Sequence, residues 1–263
     1  MKDALTLALL QCTPLPLNVE GNLRRLGQAA DRAAAQGADM LVCPEMFITG
    51  YAIGADNVRS LATTADGAYF AAVADIARAH HIAVVFGYPE RAPDGSVYNA
   101  AAWVSADGAL AWDYRKTHLF GELDRSQFSA GAIAAAELPL FEGWRIGLLI
   151  CYDVEFPENT RRLAQAGADL IVVPTANMID FDFVATQMVP VRAYENQCFV
   201  AYANYVGAEA SWTYGGLSIV AGPDGATIGQ LQRTPALLIA RLEREHLAAA
   251  RKALTHVKDQ ARL

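Results

Sequence analysis

The sequence predicts an α/β fold built on mixed sheets. Apolar runs of strand length alternate with amphipathic stretches from end to end. Two turn signals, Ala106-Asp107-Gly108 and Pro223-Asp224-Gly225, each lie between neighbouring apolar runs and mark antiparallel hairpins in a chain otherwise organised as strand then helix. At 263 residues and 53% hydrophobic content the chain can bury a large core, and no linker, repeat or low-complexity tract divides it, so a single domain over residues 1–263 is expected.

The elements follow in order. Leu5–Leu10 reads as a first strand, at an edge or in the core, because the apolar run is too short for a membrane span and Gln11 and Cys12 stand where a signal peptide would need small residues. A helix is expected from about Asn22 to Ala35, stopped by Gly37. Met40–Val42 is a short buried strand. Ala68–His80 places Ala72, Val73, Ile76 and Ala77 on one helical face and leads into a strand over Ile82–Phe86. Tyr98–Val104 and Leu110–Tyr114 form the first hairpin, and Arg145–Ile150 is another buried strand. Pro157–Ala166 is a helix closed by Gly167, followed by a strand at Leu170–Val173, a helix at Val184–Asn196 and a strand at Phe199–Ala203. Leu217–Ala221 and Ala226–Gly229 form the second hairpin, and Ala236–Ala240 adds a last strand. The charged tail from 244 to 263 is helix-prone, either a solvated surface helix or an arm at a subunit interface.

Charge and cysteine usage narrow the function. A net charge of −7 leaves no surplus of Lys and Arg for phosphates, which argues against nucleic acid or an anionic membrane and for a small-molecule partner. Cys12, Cys43, Cys151 and Cys198 are scattered without a Cys-x-x-Cys pair, so neither a metal site nor a disulfide framework is indicated, and a cytoplasmic location is expected.

Three polar residues stand where strand patterns stop, the usual place for reactive groups in α/β sheets. Glu45 follows Met40–Val42 and is enclosed by Pro44, Met46, Phe47 and Ile48. Desolvation there would raise its pKa toward general-base range, although alone it also reads as a surface acid at a strand end. Lys116 follows the first hairpin among aromatic neighbours. It could stabilise an oxyanion or a thiolate, or be an exposed charge beside Arg115. Cys151 ends a strand of hydrophobes just before a helix, the strand-to-helix elbow that presents a nucleophile. A free cysteine is commonly a small buried hydrophobe. That reading suits Cys12, Cys43 and Cys198, whereas Cys151 is followed by Asp153 and Glu155.

These residues carry a resemblance. PEMFITGY at 44–51, YRKTHLF at 114–120 and CYDVEFPE at 151–158 resemble, in order, the Glu, Lys and Cys motifs of the nitrilase superfamily of carbon–nitrogen hydrolases. VVPTAN at 172–177 and RAYENQCFVAYAN at 192–204 are similar to its further signature stretches, and the likeness runs from the first strand to the hairpin near Gly225. The resemblance implies a four-layer αββα sandwich, a homodimer, and no metal or organic cofactor. It implies Cys151 as nucleophile, Glu45 as general base and acid, and Lys116 with the Tyr152 backbone N–H as oxyanion donors. Glu122 is implied as the second glutamate, hydrogen-bonded to the lysine, with Asp124 as its rival because this spacing varies. Tyr51, Phe120, Asn177 and Met178 are candidate pocket walls by position.

Tyr152-Asp153 after the nucleophile resembles the amidase and carbamoylase branches, whereas true nitrilases carry Trp-Glu there. An amidase acting on a small amide is therefore expected, with a nitrilase or an N-carbamoyl hydrolase as alternatives. Branches acting on deaminated glutathione or ω-amides often have Arg in place of Glu155. Two readings compete: a Cys/His hydrolase, for which His118 is the candidate, and a catalytically silent binding protein, which would be expected to have lost one of the three residues. No G-x-G-x-x-G or P-loop motif supports a dinucleotide or nucleotide enzyme.

Overall fold

The computed structural model describes residues 2–133 and 138–260. In chain order the strands are β1 (Ala4–Gln11), β2 (Met40–Val42), β3 (Ala83–Arg91), β4 (Val97–Val104), β5 (Leu110–Arg115), β6 (Leu140–Phe141), β7 (Trp144–Leu148), β8 (Leu170–Thr175), β9 (Phe199–Asn204), β10 (Val206–Glu209), β11 (Trp212–Gly215), β12 (Ile219–Ala221), β13 (Thr227–Gln230) and β14 (Ala236–Glu243). The helices are α1 (Val19–Ala34), α2 (Ala55–Leu61), α3 (Ala68–His80), α4 (Gly121–Gln127), α5 (Pro157–Gln165), α6 (Val189–Asn196), α7 (Arg244–Ala253) and α8 (His256–Gln260).

Two six-stranded mixed sheets result, ordered β14-β1-β2-β3-β4-β5 and β13-β12-β9-β8-β7-β6. The first strand is interior, parallel to β2 and antiparallel to β14. Alternation along each strand sorts residues between two faces. Leu7, Leu9, Met40, Val42, Val85 and Trp103 of one sheet share a buried cluster with Trp144, Ile146, Leu148, Val172, Phe199 and Val220 of the other. The opposite faces carry the helices. Ala8, Leu10, Leu41, Val84 and Phe86 pack with Leu26, Ala30, Val73 and Ala77 of α1 and α3, and Ile171, Val173 and Val200 pack with Leu163, Val189 and Ala193 of α5 and α6. The layers are helix, sheet, sheet, helix, the four-layer sandwich that was expected.

The differences from the sequence reading are local. Helix α1 starts at Val19, earlier than the expected Asn22, because the Asn18 side chain accepts the Gly21 N–H at 2.9 Å as its cap. Val184–Asn196 is not one α-helix. Val184–Met188 forms a wider π turn before α6, relieving the conflict between the Pro190 ring and the preceding turn. The tail folds back on its own chain: Arg251 reaches the Asp169 carboxylate at 2.8 Å and the Ala168 carbonyl at 2.7 Å, and Gln260 meets Gln165 on α5 at 3.0 Å. Its last three residues, 261–263, lie outside the described residues.

Candidate active site

The turn after β2 places Glu45. Its backbone N–H donates to the Thr175 carbonyl at 3.2 Å, tying the turn to the end of β8 in the other sheet. It also runs so close to β3 that a Cβ built on Gly87 would lie 2.2 Å from the Met46 nitrogen, so only glycine fits there. Lys116 follows β5, and Asp124 comes from the short helix α4. All three side chains are fully buried. The Lys116 ammonium donates to Glu45 Oε1 at 2.7 Å and to Asp124 Oδ2 at 2.7 Å. Asn99, on β4, donates to the same Glu45 oxygen at 2.7 Å, and the Phe120 N–H to Asp124 Oδ2 at 2.8 Å.

Glu122 does not fill the role expected of it. It is exposed on the outer side of α4, and the lysine contact belongs to Asp124, which the helical turn directs inward.

Cys151 opens a 3-10 turn over Cys151–Glu155 directly after the β7 end of the sheet, with a left-handed φ of +44°. A non-glycine residue held there is strained, as at other elbows that present a nucleophile. Tyr152 lies in the first turn, where backbone N–H groups have no acceptor within the helix. The residue is buried, 8% exposed.

The electrostatics form one coupled set. Burial pushes the Glu45 carboxyl above its ordinary range and the nearby Asp124 charge adds to this, while Lys116 and Asn99 pull it back. Burial works against the Lys116 ammonium, but Glu45 and Asp124 outweigh it and hold the group firmly protonated. Burial raises the Cys151 thiol, and Glu45 raises it further, whereas the Lys116 charge and the backbone N–H of Ala176 favour the thiolate. Among the described residues, Glu45 Oε2 and Asp124 Oδ1 are buried without a hydrogen-bond partner. Such acceptors are costly unless a ligand or water meets them. The arrangement supplies a base, a fixed positive charge and a thiol.

A family model described as carbon-nitrogen hydrolase matches residues 6–252. The chain belongs to the carbon–nitrogen hydrolase family. It is 51% identical over 255 residues to the "Hydrolase in pqqF 5′ region" of Pseudomonas protegens, covering 96% of this chain and 88% of the relative. It is 34% identical over 240 residues to an (R)-stereoselective amidase of a Pseudomonas species, covering 91% and 85%. Among solved structures, a double mutant of the amidase from Nesterenkonia sp. in complex with acrylamide superposes with a TM-score of 0.82 at 32% identity, covering 96% of this chain and 98% of the other. Variants of that amidase have also been solved with butyramide bound and with the acetamide moiety of fluoroacetamide added to the active-site cysteine.

The other sequence candidates of this carbon–nitrogen hydrolase divide. Tyr51 is buried beside the centre, its ring centroid 5.5 Å from the Lys116 ammonium, and its loop is clamped where Glu209 accepts the N–H groups of Tyr51 and Ala52 at 3.0 and 3.1 Å. Phe120 meets Tyr152, the residue after the nucleophile, edge-on at 5.5 Å and Phe181 at 5.6 Å. The Asn177 amide donates to the Phe181 carbonyl at 2.9 Å, and Met178 is buried and bridges to Tyr214. His118 Nδ1 is engaged by Thr117, Asn159 and Asp153, within 3.2 Å of each, a structural network in which it has no free nitrogen on that side for a thiol.

Sequence reasoning passed over Asn99 and Ala176. The first is a lone polar residue in an apolar strand, Val97–Val104, which was a usable signal. The second acts through its backbone and left none.

Proposed function

We propose that the protein is an amidase that hydrolyses the C–N bond of a small linear amide through a thioester on Cys151, releasing ammonia or an amine. The observation that carries this reading is the buried Lys116 ammonium bridging Glu45 and Asp124 at 2.7 Å each, beside a thiol on a strained elbow. Glu45 takes the thiol proton, and the Cys151 sulfur attacks the amide carbon. Lys116 and the Tyr152 N–H receive the developing oxyanion in a site without bulk water. The protonated Glu45 passes its proton to the leaving amine and then activates water against the thioester. Glu45 Oε1 is held by Lys116 and Asn99, which leaves Oε2 as the oxygen to take the thiol proton.

An amide is preferred over a nitrile because thiolate addition to a carbonyl leaves an oxygen anion, which a fixed ammonium and a backbone N–H stabilise directly. A nitrile leaves a nitrogen anion that must be protonated. The test is ammonia release from matched pairs, butyramide against butyronitrile and acrylamide against acrylonitrile, with an N-carbamoyl amine alongside. Amides faster than their partners support the reading; nitriles outrunning amides, or the carbamoyl compound outrunning both, would replace it.

We also propose one domain over the whole chain, a homodimer, and a cytoplasmic location. Val191 and Tyr194, 49% and 40% exposed on α6, give the outer helical layer apolar area suited to a second copy. The four free cysteines suit a reducing compartment. Light scattering of the purified protein measures the homodimer directly: a monomer at micromolar concentration would remove it.

A further inference from the structure

Asp153 takes no part in the chemistry above, yet its side chain is wholly buried and collects donors from two separate segments. Oδ2 accepts the Ile150 N–H at 3.1 Å and the Tyr114 hydroxyl at 2.9 Å. Oδ1 accepts the Thr117 N–H at 3.2 Å, the Thr117 hydroxyl at 2.8 Å and the His118 N–H at 2.8 Å, with His118 Nδ1 3.2 Å away. Asn159 closes the network by donating to the Asp153 carbonyl at 2.9 Å. One segment carries Lys116, which immediately precedes Thr117. The other carries Cys151, which lies between Ile150 and Asp153.

We propose that Asp153 is a positioning residue that locks the oxyanion lysine's segment to the nucleophile's elbow, and so acts on acylation rather than on amide binding. This rests on the roles given to Lys116 and Cys151 under the proposed function. The chemistry requires a carboxylate. Both oxygens face donors, and buried charge is tolerated only where hydrogen bonds of this kind satisfy it. An asparagine would set its NH2 either against the Ile150 N–H or against the Thr117 and His118 N–H groups. The Tyr114 hydroxyl can turn to accept, but the backbone N–H groups cannot. Asp153→Asn therefore loses at least one backbone tie whichever way it is turned. It also gains an N–H facing an N–H, which pushes the two segments apart.

The experiment compares Asp153→Asn with Asp169→Asn. Asp169 is also buried and accepts the Arg145 N–H at 3.0 Å and Arg251 at 2.8 Å, but it stands before β8, at the opposite strand end from the site. Displacement of about 1 Å near reacting groups costs roughly a hundredfold in rate. Asp153→Asn is expected to lower kcat for butyramide by about that factor with KM within threefold, while Asp169→Asn loses stability and keeps kcat. A kcat within threefold of wild type, or a loss matched by Asp169→Asn, overturns the proposal.

A second readout needs no amide turnover, so it separates failure of this inference from failure of the amidase reading. The rate at which iodoacetamide labels Cys151 is followed against pH. Removing a nearby negative charge would by itself move the profile to lower pH, whereas moving Lys116 away from the thiol moves it to higher pH. A shift to higher pH is expected; an unmoved profile or one shifted to lower pH overturns the proposal. Should Asp153→Asn fail to fold, Thr117→Val removes one donor and leaves the rest. It is expected to lower kcat by about threefold to tenfold at unchanged KM, and an unchanged kcat would be equally decisive against.

Discussion

Gly87→Ala tests whether the position of Glu45 sets the rate, because it displaces the base through its backbone while every catalytic side chain keeps its identity. The added Cβ would stand 2.2 Å from the Met46 nitrogen and 2.9 Å from the Glu45 carbonyl carbon, both backbone atoms. Roughly 1 Å must open before ordinary contact is restored, and β3, interior to its sheet and paired on both sides, cannot supply much of it. The Glu45 turn takes up the movement, stretching its 2.7 Å contacts with Lys116 and Asn99. Overpacking of this kind costs about 1–3 kcal/mol of stability, or roughly 2–12 °C in Tm for a chain of this size. A misplacement of about 1 Å lowers turnover about a hundredfold. The assay is kcat for ammonia release from butyramide at a temperature well below the variant's Tm, with circular dichroism as the check on folding. A folded Gly87→Ala protein with more than a third of wild-type kcat would refute the reasoning.

The remaining predictions concern single groups. Cys151→Ala should abolish ammonia release with the fold intact by circular dichroism, whereas Ala at Cys12, Cys43 or Cys198, all buried, should lower Tm and leave kcat per folded molecule unchanged. Lys116→Arg should lose at least about a thousandfold in kcat, since a planar guanidinium cannot replace a compact ammonium between two carboxylates in a closed site. Because burial raises the Glu45 carboxyl above its ordinary 4.5, the acid limb of kcat/KM should lie above that pH, and a limb at or below it would contradict the base assignment. Burial and the Glu90 charge push Asp113 up to about 7 from 3.8. A raised carboxyl stabilises the fold fully below its unfolded pKa and loses that contribution as pH rises through the folded value, so Asp113→Asn should gain Tm over wild type between about pH 4 and 7. No gain in that window would show that the Asp113 charge is well solvated.

Much of the architecture was legible because buried strands and helix faces leave periodic apolar patterns. Ala68–His80 coincides with α3, and Met40–Val42 with β2, residue for residue. What escaped was decided by geometry that composition does not record. The β10–β11 hairpin turns at Ala210, with φ of +51°, where a turn of that conformation usually advertises itself with Gly or Asn. Helices α2 and α4 are seven residues each, too short to show a period. The same limit explains the acid at the site. Two carboxylates two residues apart are equivalent as letters, and only the helical turn of α4 decides that Asp124 enters and Glu122 faces water. Cys151 was legible as a reactive residue closing an apolar strand, whereas Glu45 and Lys116, which alone also read as surface charges, were legible through the family motifs that contain them; the structure brings these two into direct contact.

Covalent catalysis at Cys151 is tested most directly by intact-protein and peptide mass spectrometry of the enzyme quenched during butyramide turnover, with hydroxylamine as competing acceptor. The account predicts a butyryl adduct confined to the peptide containing Cys151, absent from Cys151→Ala, together with butyryl hydroxamate in solution. Steady ammonia release with neither adduct nor hydroxamate would contradict it.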